Sequence, residues 1–272
     1  MTDQLRHRIS AADNEATRQA EFIAVCALSL AASVTGTVYF CRSMSGGMEM
    51  PGGWTMSMTW MRMPGQSWTA SAAMFLLMWL TMMVAMMLPS LIPMLRRYRN
   101  AVGRRGETRL GLLTTLVGAG YFFVWTAFGV VVFAVGAALA SIEMRLPALA
   151  RAVPVAASVV VLVAGAIQFT RWKANRLACC REAHVHSCVL TPCAGTAWRH
   201  GLRLGIDCGF CCAGLIVVLL TIGVMDLRAM AAVTAAISAE RLVPSGERMA
   251  RAVGYVVVGE GLLLFARAAA LI

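Results

Sequence analysis

What this chain has least of is charge. Asp, Glu, Lys and Arg make up 14% of its 272 residues, whereas 59% are hydrophobic. Soluble domains carry about 25% charged residues, so a water-facing globular surface is excluded. Acidic residues are the scarcer sign, 13 against 24 Lys and Arg, for a net charge of +11. The basic residues sit in short segments between apolar runs, where they act as topology signals and contacts to anionic lipid. A nucleic-acid partner is therefore not expected. The chain also lacks G-x-x-x-x-G-K-[ST], a phosphorylatable-Asp pump motif and a Ser/His/Asp arrangement, so neither ATP-driven transport nor hydrolysis is expected. No secretory signal peptide is expected either. Residues 1–21 are polar and mixed in charge, and the apolar run after them has no small-residue cleavage site.

What is present is a succession of apolar runs, several at or above the ~20 residues that a helix needs to cross a bilayer. They predict an all-α fold, a polytopic transmembrane helical bundle forming one membrane domain over residues 22–272, preceded by a polar arm at 1–21. About seven spans are expected, at 22–40, 68–88, 110–140, 154–170, 204–224, 227–243 and 252–271. Pro89 and Pro93 are expected to end or kink the second. Of the 24 basic residues, 18 fall in segments 1–21, 95–109, 171–203 and 240–251, and six fall elsewhere. The positive-inside rule then puts the N-terminus in the cytoplasm and the C-terminus outside, in a bacterial inner membrane.

Against this background, nine cysteines and 19 methionines are anomalous. In the second span Met74, Met78, Met82 and Met86 recur every four residues, and Met83 and Met87 repeat the spacing one place on. On a helix these side chains form one stripe. Thioether is a soft ligand suited to copper(I), and it is equally a filler of apolar gaps. Residues 41–65 add Met44, Met48, Met50, Met56, Met58, Met61 and Met63 in a Gly/Pro-punctuated outer loop with no core to fill. Trp54, Trp60 and Trp68 suit headgroup depth there.

Two cysteine clusters lie on the expected cytoplasmic side. The 171–203 loop carries Cys179, Cys180, His184, His186, Cys188 and Cys193, with His200 beyond them. Their spacings fit a zinc finger poorly. Copper(I) accepts fewer thiolates and is less demanding, while zinc and iron are the alternatives. The second cluster is Asp207, Cys208, Cys211 and Cys212 at the start of the fifth span. Its three cysteines fall at i, i+3 and i+4 and share a helix face. The competing explanation for the first is a flexible cytoplasmic loop with incidental cysteines, and for the second small buried residues at a helix interface. Glu260 is a carboxylate within a span, which by default suggests proton or cation coupling, as does Asp207. The alternative for Glu260 is a buried hydrogen bond.

Several stretches resemble the bacterial family of predicted metal-binding integral membrane proteins. They are M-x-x-A-M-M-L-P-S at Met82–Ser90, A-G-A-I-Q-F-T at Ala164–Thr170, W-x-x-G-L-R-L-G at Trp198–Gly205, C-G-F-C-C at Cys208–Cys212, G-V-M-D-L at Gly223–Leu227 and E-R-L at Glu240–Leu242. The resemblance implies metal binding without a defined substrate. The family's loop motif H-C-R-x-P is rearranged here to H-V-H-S-C-V-L-T-P-C.

Together these features predict capture of copper(I) by outer methionines and conduction along Met78, Met82, Met83, Met86 and Met87. Receipt by Cys208, Cys211 and Cys212 would follow, then transfer to the Cys/His loop and a cytoplasmic metallochaperone. Thioethers survive an oxidising exterior and thiols stay free in a reducing interior, which favours this order. The alternative is a membrane thiol or metal redox enzyme built on C-x-x-C-C.

Overall fold

The computed structural model describes residues 2–44, 46–51, 53–62, 65–103, 107, 109–182 and 193–270. The chain is all-α apart from one small hairpin. Its helices are α1 (Thr2–Ser43), α2 (Trp68–Gly103), α3 (Leu110–Arg145), α4 (Pro147–Ile167), α5 (Arg171–Glu182), α6 (Ala194–Ile222), α7 (Leu227–Leu242) and α8 (Gly246–Ala269). Six of these are long and apolar enough to cross a membrane: α1 from Ala16 onward, α2, α3, α4, α6 and α8. Large apolar side chains such as Leu28, Leu77, Phe123, Val131, Val163 and Leu263 point outward from them. That surface suits lipid and not water, so this is a membrane protein.

The sixth expected span, 227–243, forms α7, whose 16 residues fall short of a perpendicular crossing. Two other boundaries differ from expectation. Helix α2 does not end at Pro89 or Pro93 but continues to Gly103, so the Met stripe and Met94 belong to one helix. Helix α6 begins at Ala194, ten residues before the expected start of the span at 204, because the polar T-A-W-R-H-G-L-R stretch is also helical. The C-G-F-C-C motif thus sits mid-helix rather than at a helix start.

The bundle is organised around α2 and α6. Over their apolar windows 56% and 50% of residues are buried, against 17–28% for the other four candidate spans. The most extensive interface joins α3 to α6. It depends on missing side chains: a Cβ on Gly120 would lie 2.7 Å from the Trp198 carbonyl, and one on Gly201 would collide with the Val117 carbonyl. Backbones can approach this closely only where small residues face each other. Helix α2 is pinned to α3 by Trp79, whose Nε1 donates to the Trp125 carbonyl at 2.8 Å while its indole lies over Gly129.

The Met-rich loop has a core after all. Strands β1 (Gly47–Met50) and β2 (Trp54–Ser57) pair antiparallel, with Met48 opposite Met56 and Met50 opposite Trp54. Met50 and Met56 are buried against Ala140 and Ala150 at the ends of α3 and α4. Trp54 Nε1 anchors the hairpin by donating to the Ala150 carbonyl at 2.9 Å. Met44 and Met61 are half-buried and Met48 is exposed, whereas Met63 lies outside the described residues.

Candidate metal centre

The Met stripe and the cysteine motif meet in the centre of the bundle. Met78, Met82, Met83, Met86 and Met87 of α2 are all buried, with Met83 and Met87 wholly inaccessible, whereas Met74 faces outward. The i, i+3, i+4 spacing of Cys208, Cys211 and Cys212 does what helical geometry requires, and all three are buried on the inner face of α6. Cys208 Sγ lies 3.8 Å from Cys212 Sγ and 4.0 Å from Met87 Sδ. Two sulfurs that each approach a metal to about 2.3 Å stand at most about 4.6 Å apart. Both separations fall within that reach.

The first cysteine cluster is split by the fold. Residues 171–182 form α5, and buried Cys180 on its inner face neighbours Cys211, which in turn neighbours Cys212. The neighbouring Cys211, reinforced by burial, holds the Cys180 thiol well above the usual thiol range. The sulfurs of Met87, Cys208 and Cys212 are thus in contact, and Cys211 and Cys180 extend this file from α6 towards α5. Cys179, the next residue, is exposed, and so is Cys193 at the N-terminus of α6. All eight described cysteines are free. His184, His186 and Cys188 lie outside the described residues. Among the described residues no three His, Cys, Asp or Glu side chains form a preformed metal cage. The available donors are thiols in pairs with a thioether beside them, a set that suits a soft monovalent ion of low coordination number better than tetrahedral zinc.

Charged side chains surround this file, and sequence reasoning missed them. Lys173, the only lysine in the chain, projects inward from α5. Its Nζ donates to Glu240 Oε2 and to the Cys211 carbonyl, both at 2.7 Å. Burial alone would lower its pKa, but neighbouring Cys211 and Glu240 outweigh that and hold it above the ordinary lysine value. Arg241, the next residue of α7, donates from Nη1 to Cys208 Sγ at 3.0 Å and to Ser90 Oγ at 2.9 Å, and from Nη2 to Met94 Sδ at 3.2 Å. Tyr121 of α3 donates its hydroxyl to Cys208 Sγ at 3.0 Å. Cys208 is thus the hub, an acceptor for two donors with two further sulfurs alongside. The signal in the sequence was a lone lysine and the E-R pair in an Ala-rich stretch. Six cations within residues 171–203, read together as a loop charge, concealed it.

The remaining candidates stand apart. Asp207 is half-buried towards Arg176 and Arg203. His200 stacks on Tyr98 with ring centroids 5.5 Å apart. Glu260 is exposed on α8, because Gly254, Val257 and Gly261 set the buried face of that helix. It has no hydrogen-bond partner among the described residues.

No curated protein and no solved structure matches this chain. Residues 76–264, well over half of it, match the model of the PpoB2 family, described as a copper chaperone.

Proposed function

The chain belongs to the PpoB2 copper-chaperone family, and from that membership we propose that it carries copper(I) on a buried file of sulfurs within the membrane. The reading rests on one observation: Cys208 Sγ lies within 4.0 Å of Met87 Sδ and within 3.8 Å of Cys212 Sγ. The thioether stripe and the thiol cluster are continuous there.

Copper(I) is cargo in this scheme. Met78, Met82, Met83 and Met86 offer weak thioether positions that lead to Met87. Cys208 and Cys212 hold the ion most firmly. Cys211 and Cys180 take it on towards exposed Cys179 and the stretch with His184, His186, Cys188 and Cys193. Successive sites of graded strength permit hand-off, since passage requires release as well as binding. Arg241 has no carboxylate partner among the described residues, and a Cys208 thiolate would balance its charge within the core. The positive-inside count supports movement inward across a bacterial inner membrane to a cytoplasmic metallochaperone. Lys173 and Arg241 are buried and lose their weight as topology signals, and a short α7 moves 240–251 to the outer side and the C-terminal end to the inner, but the bias persists at 15 against 7. In the outer hairpin, exposed Met48 is better placed for capture than Met50 or Met56, which pack as core.

Copper analysis of the purified protein, loaded anaerobically with copper(I), tests the reading. Wild type should retain copper with sulfur neighbours in X-ray absorption spectra. Cys208→Ser and Cys212→Ser should lose most of it. Equal copper content in all three proteins would remove the sulfur file from consideration.

The closeness of Cys180 to Cys211 favours a second reading, in which this pair cycles between dithiol and disulfide, giving two electrons and two protons to a quinone-class oxidant and regaining them from a thiol reductant. Thiol counting on the same samples separates the two. A metal-free protein with a reversible disulfide belongs to the redox reading.

A further inference from the structure

Arg241 is in an unusual position for a buried guanidinium. It is 6% exposed, and the ion pair nearest to it in sequence joins Glu240 to Lys173 instead. Its fork lies on sulfur: Nη1 on Cys208, Nη2 on Met94, with Ser90 Oγ as the single oxygen acceptor. Among the described residues, Nε is buried without a hydrogen-bond partner. A guanidinium matched to its site uses its planar set of donors on oxygen acceptors, usually a carboxylate. This one is incompletely satisfied, and it bridges a thiol on α6 to a thioether on α2.

The same two sulfurs are soft-metal donors. Their lone pairs cannot serve N–H donors and a metal ion at full strength together, and the guanidinium and an arriving copper(I) are two positive charges sharing the single negative charge of a Cys208 thiolate in a poorly screened interior. We propose that Arg241 is a placeholder cation. It occupies the Cys208 and Met94 sulfurs while the protein is empty, and it gives up that contact when copper(I) arrives. Its charge then weakens copper(I) retention enough to permit release. This rests on the assignment of Cys208 and Cys212 as copper(I) donors and adds a positioning role for a residue that donates nothing to the metal.

The experiment uses the full chain in detergent, titrated with copper(I) against a chromophoric copper(I) chelator under anaerobic conditions. Arg241→Gln removes the charge but keeps an N–H donor, and it should bind copper(I) more tightly by on the order of 10- to 100-fold. Arg241→Lys keeps the charge and should stay near wild type. Unchanged or weaker binding by Arg241→Gln overturns the proposal. Should that variant fail to fold, wild type labelled with guanidino-15N arginine gives an independent readout. Its guanidinium infrared bands should shift on copper(I) loading, and bands that do not move overturn the proposal. Wild type that binds copper(I) no better than Cys208→Ser and Cys212→Ser marks failure of the underlying assignment. Wild type that binds while Arg241→Gln is indistinguishable from it marks failure of the placeholder role alone.

Discussion

Lys173 Nζ stands 2.7 Å from Glu240 Oε2 and 2.7 Å from the Cys211 carbonyl, so one ammonium joins α5, α7 and α6 beside the sulfur file. Both partners of the ion pair are nearly inaccessible. Removing one partner of a buried pair leaves a charge with no compensation, at a cost of about 3–5 kcal/mol. Lys173→Met and Glu240→Met should each lower thermal stability sharply. The double variant should recover much of the loss, since a matched apolar pair leaves no orphaned charge. A double-mutant cycle in detergent-solubilised protein measures this directly, and strictly additive losses would contradict it.

Met87→Leu separates ligand from filler. The swap conserves volume and should cost less than about 1.5 kcal/mol in stability. Copper(I) retention should fall about tenfold, equivalent to about 1.4 kcal/mol. Met74→Leu, on the outward face, should change neither. Chelator competition and a melting curve on each variant decide between them.

Thiol labelling should divide the cysteines by position. Cys179 and Cys193 are exposed and should react with a bulky maleimide within minutes, while Cys180, Cys208, Cys211 and Cys212 stay protected until the protein is unfolded. The Thr196 hydroxyl and backbone N–H hydrogen-bond Cys193 Sγ and lower its pKa below the ordinary thiol value. A lowered pKa populates the thiolate at lower pH. The labelling rate of Cys193 should therefore level off at a lower pH than that of a free thiol, as mass spectrometry of quenched samples would record.

In the outer hairpin, Met56 is core. Met56→Leu should be tolerated within about 1.5 kcal/mol, and Met56→Ala should cost about 2–5 kcal/mol through the cavity it leaves against Ala140 and Ala150. Copper uptake by cells producing Met56→Leu should match wild type, whereas Met48→Leu should reduce it.

The parts of the fold legible in the sequence were those that depend on local periodicity. The Met82–Met87 stripe and the shared face of Cys208, Cys211 and Cys212 follow from 3.6 residues per turn, and each was readable within one helix. Their meeting was not readable, because Met87 and Cys208 are 121 positions apart. Helix α5 escaped notice for a different reason. Its 12 residues, R-W-K-A-N-R-L-A-C-C-R-E, have no apolar stripe, so Lys173 and Cys180 read as solvated loop. Only tertiary packing turns them inward. The hairpin was obscured by composition, since Gly and Met signal neither strand nor core. The passage of α2 through Pro89 and Pro93 overrode the ordinary expectation that proline ends a helix.

The glycine seam between α3 and α6 has a mechanical consequence for the sulfur site. Gly201 and Gly120 bring the two backbones into direct contact within two to three turns of Cys208, and Tyr121, next to Gly120, reaches the same sulfur. That side of the site is held by direct backbone contact, with little room to compress. The opposite side is built from the thioethers of α2 and the guanidinium of the short α7, all long and rotatable. Any widening that lets an ion in or out must come from that side, so the site opens like a door on one jamb.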